Sequence, residues 1–117
     1  MRIGVPRETS PGERRVALVP ESCKKLIQAG YSILIEAGAG EAAGLSDAAY
    51  REVGAGVDAD PAVVLAGADL VLKVNAPQSR DGHGEEIQWM RRGSIYVGSL
   101  MPLRNLDAVR ALATRGV

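Results

Sequence analysis

Four short apolar runs, residues 3–5, 31–36, 70–74 and 94–99, alternate with stretches that carry helix signals. This alternation is what most constrains the fold. Strand–helix–strand connections lead to parallel pairing, and a parallel sheet needs helices over both of its faces. The expected architecture is therefore α/β, a mostly parallel sheet flanked by helices in the flavodoxin-like or Rossmann-like manner. Pro6 ends the first run, since proline has no N–H for a sheet ladder. Directly after it, Arg7, Glu8, Glu13, Arg14 and Arg15 crowd one loop. In a parallel sheet that loop lies at the carboxyl edge, the usual ligand crevice of doubly wound folds.

The helix boundaries follow from local chemistry. Pro20 suits a first helical position, with Cys23, Leu26 and Ile27 on one face and Gly30 as the terminating cap. Ser46 is an N-cap, and Leu45 and Tyr50 are placed for a hydrophobic staple on a short helix to about Val53. Asp60 and Pro61 start another short helix that ends at Gly67. Residues 85–92 read as a helix with acids early and arginines late, as the macrodipole prefers. Asn105 caps a last helix with Leu106, Val109, Leu112 and Ala113 on one face, closed by Arg115 and Gly116. Residues 37–44, 75–77 and 78–84 read as loops. Val117 stands where a further strand would begin, so residues 1–117 are expected to be one incomplete domain, truncated at the C-terminus. Apolar surface on the last helix or at an edge strand is expected to be exposed.

Composition narrows the function classes. Fourteen Lys and Arg balance fourteen Asp and Glu, so no overall field favours nucleic acid or an anionic membrane surface. The aromatic residues are Trp89, Tyr31, Tyr50 and Tyr96, too few for a base-stacking platform. The longest apolar region, residues 62–74, is broken by Gly67 and Asp69 and falls short of the roughly 20 residues of a membrane helix. The single cysteine, Cys23, cannot form an internal disulfide, and a cytoplasmic location is expected.

Lys73 is the residue most out of place, an ammonium near the end of an otherwise apolar strand. With Arg14 or Arg15 it could form an anion subsite for a carboxylate or phosphate. Equally, it could be a strand-end lysine paired with Glu8 or Glu13. The segment Gly38–Gly44 has glycines spaced as GxGxxxG after a strand, but the dinucleotide fingerprint requires such a loop to open a helix, and here a strand-to-helix connection is the simpler reading. His83, the sole histidine, reads as a loop residue. Cys23 and Trp89 read as packing residues, and Arg91 and Arg92 as helix-end caps. No metal-ligand spacing and no nucleophile–base set is evident, so neither a metal nor a catalytic residue is expected.

Four segments, Arg2–Glu8, Gly12–Pro20, Glu36–Glu41 and Ala68–Pro77, taken in order over the whole chain resemble the N-terminal domain of the alanine dehydrogenase and nicotinamide nucleotide transhydrogenase superfamily. Within it, Leu72–Pro77 and Leu100–Asn105 are similar to the α subunit of proton-translocating NAD(P) transhydrogenases. The resemblance implies hydride transfer between NAD(H) on that subunit and NADP(H) on a partner domain, coupled to proton translocation. It also implies a downstream NAD-binding Rossmann domain, membrane and NADP-binding partner subunits, a homodimeric intact subunit, and a cytoplasmic position peripheral to the membrane. No cofactor-binding residue falls within this chain, which alone is expected to be inactive. Alanine dehydrogenase relatives hold the carboxylate of pyruvate with an arginine and a lysine that match Arg15 and Lys73. They also use a histidine where this chain has Met101, and that departure counts against alanine dehydrogenase. A non-enzymatic flavodoxin-like or receiver-like module ranks last, since Arg7 replaces the acid that a receiver needs after its first strand.

Overall fold

The computed structural model describes residues 1–80 and 84–117. His83 lies outside the described residues. In chain order the elements are β1 (Arg2–Val5), α1 (Pro20–Gln28), β2 (Ser32–Glu36), a 3-10 turn (Glu41–Ala43), α2 (Asp47–Glu52), β3 (Gly56–Asp58), α3 (Pro61–Ala66) and β4 (Leu70–Leu72). They continue as β5 (Ser79–Arg80), β6 (Gly84–Glu85), α4 (Glu86–Trp89), β7 (Ile95–Val97) and α5 (Leu106–Arg115). Five strands form one sheet in the order β3-β2-β1-β4-β7, and every pair in it is parallel. The order reverses between β1 and β4. Their carboxyl ends therefore flank a topological switch point, where open α/β sheets place their crevice.

The two sheet faces carry separate cores, because strand side chains alternate. Ile3, Val5, Ile33 and Ile35 pack with Cys23 of α1, Tyr50 of α2 and Ala55. On the other face Val71 packs with Leu65 of α3, Ile87 of α4, Met90 and Leu112 of α5. Gly4 allows α3 to lie directly on the central strand: a Cβ there would come within 2.7 Å of the Val64 carbonyl oxygen. Cys23 is buried, and burial pushes its thiol up to about 11, which makes it a packing residue.

Local signals set most boundaries. The Ser46 hydroxyl accepts from Ala49 N–H at 3.2 Å, and Asp60 Oδ1 accepts from Ala62 N–H at 2.9 Å. Several expectations need correction. The short strand β3 falls in a stretch without a strand signal, and the polar loop of residues 78–84 contains strands of a β5–β6 ladder. The helix expected over 85–92 is a single turn, because Met90 adopts an extended conformation. Arg91 and Arg92 therefore cap nothing: Arg91 pairs with Asp69, and Arg115 Nε donates to the Met90 carbonyl at 2.8 Å. Asn105 stands at the start of α5, but its amide donates to the Leu100 and Met101 carbonyls instead of capping the helix. Of the apolar face assigned to that helix, Leu112 is buried and Leu106 and Ala113 are exposed. The edge strand β7 leaves Ile95 and Val97 each 52% exposed. No helix among the described residues is long and apolar enough to cross a membrane.

Candidate functional site

Five charged side chains that are almost wholly buried meet beside the switch point: Glu8 after β1, Glu36 at the end of β2, Lys73 after β4, Arg80 on β5 and Glu86 at the start of α4. Burial of charges is costly unless each is paired and hydrogen-bonded. Here each is. The Lys73 ammonium donates to Glu86 Oε1 at 2.8 Å and to the Ala76 carbonyl at 3.4 Å, and lies 3.8 Å from Glu8 Oε1. Arg80 forms a two-pronged pair with Glu36, at 2.9 and 2.7 Å, and donates through Nε to Glu86 Oε2 at 3.0 Å. Its Nη2 also lies 2.9 Å from Glu86 Oε2 and donates to the Arg7 carbonyl at 3.1 Å.

Three carboxylates face two cations, so the cluster holds one surplus negative charge. Backbone N–H groups offset it. Val74 and Asn75 donate to Glu8 at 2.9 and 3.1 Å, Arg7 to Glu36 at 2.7 Å and Gln78 to Glu86 at 2.6 Å. Among the described residues no buried side-chain nitrogen or oxygen lacks a partner. Burial works against the Arg80 charge, but the bonds to Glu36 and the nearby Glu86 outweigh it and raise its pKa above the usual value. Burial, with the charges of Glu8 and Glu86, likewise drives the Tyr96 phenol well above its ordinary range, and its hydroxyl donates to the Asn75 carbonyl.

Arg15 lies in a different environment. Its side chain is 71% exposed and clamps Glu13, with Nε to Oε2 at 2.9 Å and Nη2 to Oε1 at 2.7 Å. Side-chain and backbone hydrogen bonds from Arg15, together with one from Asn75, hold the Glu13 carboxyl at about 2. Glu13 in turn accepts from Asn75 Nδ2 at 2.9 Å. Arg15 thus reaches Lys73 only through a relay of Glu13, Asn75 and Glu8, and neither cation lines the open cleft of about 1150 Å³ beside the cluster. That cleft is bordered by Arg7, Thr9, Asp60, Gln78, Arg80 and Trp89.

The glycine loop does not fit a dinucleotide. It leads into a three-residue 3-10 turn and not into an α-helix. Asp47 Oδ1 already accepts the Gly38 N–H at 2.9 Å, where a pyrophosphate would need a donor. A Cβ on Gly40 would meet Tyr50 Cε2 at 2.8 Å and the Leu45 carbonyl at 2.9 Å, so this glycine serves the close approach of α2. Among the described residues no group of His, Cys, Asp or Glu could hold a metal ion.

Sequence reading picked out Lys73 and, as one alternative, its pairing with Glu8. It missed Glu36, Arg80 and Glu86. Glu36 carried a signal, being a charged residue closing an apolar strand just as Lys73 does. Arg80 and Glu86 carried none, since both lie in polar sequence that gives no sign of burial.

Comparison with known proteins agrees with this architecture. Residues 4–117 match the family model described as the alanine dehydrogenase/PNT N-terminal domain. The chain is 36% identical over 116 residues to the NAD(P) transhydrogenase subunit alpha of Cereibacter sphaeroides, an alignment that takes in 99% of this chain and 21% of that protein. It is 37% identical over 117 residues to the alanine dehydrogenase of Bacillus subtilis, spanning 29% of it. A solved transhydrogenase from Sinorhizobium meliloti superposes with a TM-score of 0.88 at 34% identity, over 99% of this chain and 33% of that one. An L-alanine dehydrogenase structure superposes with a TM-score of 0.89 at 30% identity, over 98% of this chain and 30% of that one. The chain thus spans a third or less of each of these relatives. The switch-point sheet, the family match across residues 4–117 and the end-to-end identity to both kinds of relative lead to one conclusion: the chain belongs to the alanine dehydrogenase/PNT N-terminal domain family.

Proposed function

We propose that this chain is the N-terminal domain of a transhydrogenase α subunit, which passes a hydride between NAD(H) and NADP(H) in step with proton translocation. The observation that carries the reading is Met101, in the turn after β7. The resemblance puts the histidine of alanine dehydrogenases at this position, and a thioether cannot act as the acid or base of amino-acid oxidation. Met101 is half exposed and holds a left-handed backbone, with φ 47°. Its carbonyl accepts from the N–H groups of Arg104 and Asn105 at 2.9 and 3.1 Å.

In this reading NAD(H) is held by polypeptide outside residues 1–117, and NADP(H) by a partner domain. The carboxyl edge of this sheet forms one wall of the nucleotide cleft. By resemblance Arg15 and Lys73 hold the positions of an anion pocket of the common architecture, and in this chain the two positions are separately occupied, Arg15 by Glu13 and Lys73 by Glu86. The intact subunit is a homodimer, cytoplasmic, and attached to the membrane through its partner subunits. The alternative is an alanine dehydrogenase, favoured by the 37% identity to the Bacillus subtilis enzyme.

The test is to express the complete gene with its neighbours in membrane vesicles, supply NADPH and an NAD analogue of shifted absorbance, and follow hydride transfer. Nucleotide-to-nucleotide transfer without alanine-dependent NAD reduction is expected. Alanine-dependent NAD reduction without transfer would establish the alternative, and saturable micromolar binding of NADH to residues 1–117 would refute the assignment of NAD(H) to another segment.

A further inference from the structure

The two faces of the sheet are not equally covered. α1 joins β1 to β2 and α2 joins β2 to β3, and both lie on the face that carries Ile3, Val5, Ile33 and Ile35. α3, α4 and α5 lie on the opposite face, through Leu65, Ile87 and Leu112. On the first face the register sets Ile3, Leu70 and Ile95 in one row, and Leu72 beside Val97 in the next. Burial decays along the first row: Ile3 is 2% exposed, Leu70 is partly buried, and Ile95 at the sheet edge is 52% exposed, as is Val97. We propose that this bare quadrant of Leu70, Leu72, Ile95 and Val97 is the seat of one amphipathic helix, supplied by the same subunit from outside residues 1–117.

Three observations carry it. The first is handedness. Strand–helix–strand connections in a parallel sheet are right-handed, so the helices change face when the direction of travel across the sheet reverses. The chain travels from β1 to β3 with its helices on the first face, then back across the sheet through β4 to β7 with its helices on the second. A right-handed connection running outward from β4 always lands on that second face, so the cover of the first face there has to come from elsewhere. The second is shape. Residues 70–72 and 95–97 are adjacent strands of three residues, about 10 Å long at the usual rise. A single helix is about 10 Å across, enough for two strands, and about two turns span their length. Helices are what covers a parallel sheet, whereas a loop would set unpaired backbone groups against apolar side chains. The third is area. A stable dimer takes about 800 Å² from each partner, and four side chains, two of them already partly buried, offer far less. A second copy of the chain therefore cannot hold to this quadrant alone. A helix tethered in the same polypeptide can, since the tether replaces association by an effective concentration of about millimolar. The chain spans 21% of the Cereibacter sphaeroides transhydrogenase subunit and 29% of the Bacillus subtilis alanine dehydrogenase, so the inference does not depend on which reaction the subunit runs.

The experiment compares maleimide labelling of Val97→Cys in residues 1–117 and in the complete gene product; Cys23 is buried and does not compete. Residues 1–117 should label fast, at a rate independent of protein concentration. The complete product should label roughly tenfold or more slowly, because the helix must lift off first. Equal rates would overturn the proposal, as would protection of residues 1–117 that grows with concentration, which would make a second copy the cover. A diazirine amino acid installed in place of Val97, in subunits mixed from heavy- and light-isotope cultures, then identifies the occupant. Cross-links should join like isotopes only and map to one segment outside residues 1–117 whose apolar residues recur at i, i+3, i+4 and i+7. Heavy-to-light cross-links, or a segment with the alternating pattern of a strand, would overturn it. Should Val97→Cys fold poorly, Ile95→Cys reports on the same face two residues earlier, with the same expected ratio. No turnover enters these measurements, so their failure leaves the transhydrogenase reading standing, and failure of the hydride-transfer assay leaves this one standing.

Discussion

Lys73 and Arg15 carry the same charge and lie at the same edge of the sheet, but they occupy opposite dielectric regimes. The Lys73 ammonium is buried, tied to Glu86 and near Glu8, whereas the Arg15 guanidinium is 71% exposed and grips a single carboxylate. A buried pair is expensive to assemble and worse to break, since removing one partner strands a charge in a low-dielectric interior. An exposed pair is screened by water and contributes little to stability. Equal formal charges in one sequence pattern therefore say nothing about equal energetic weight. Burial decides it, and burial here comes from the β5 and α4 segments folded over the strand ends.

That contrast can be broken most forcefully at Arg80. Arg80→Met removes the guanidinium shared by Glu36 and Glu86, and urea unfolding should show a loss of about 3–5 kcal/mol, the usual cost of stranding a buried charge. Arg15→Ala should leave the urea midpoint close to wild type. Equal losses in the two variants would erase the distinction. Salt offers a second, smaller test: in about 1 M NaCl the screening length falls to about 3 Å. The stability difference between wild type and Arg80→Met should persist there, while the small effect of Arg15→Ala disappears.

The smallest expected effect is a titration. Glu13 has its folded pKa lowered from 4.5 to about 2, first by the Arg15 side chain and then by its backbone N–H. A depressed carboxyl stabilises the fold above its unfolded pKa, and that contribution fades as pH falls from 4.5 towards 2. Carbon-detected NMR of the Glu13 carboxyl should show the low midpoint, and Arg15→Ala should move it back towards 4.5. An unchanged midpoint in the variant would mean that Asn75 and not Arg15 holds the charge.

Fold elements were legible where the cause is local. Pro20, Ser46 and the Asp60-Pro61 pair each act within one turn of themselves, and α1, α2 and α3 begin where those residues stand. Elements with distant causes were not legible. The three residues of β3 are a strand because β2 offers its edge, and α4 stops early because the Met90 carbonyl is taken by Arg115 from another helix. The candidate site divides in the same way. Lys73 stood out against its apolar neighbours, but Arg80 and Glu86 sit in a polar stretch whose burial no nearby residue announces.

The amino-acid sequence by itself determined the alternation of strand and helix, the parallel sheet and the charged loop at its carboxyl edge. These follow from periodicity, caps and proline, which act over a few residues. Only the tertiary structure decided which charges share a cluster. Glu36 and Arg80 are 44 positions apart, and their pairing depends on the desolvation that arises when β2, β5 and α4 close over one another. Electrostatic strength depends on the dielectric around a pair as much as on its distance, and that dielectric exists only once the chain has folded.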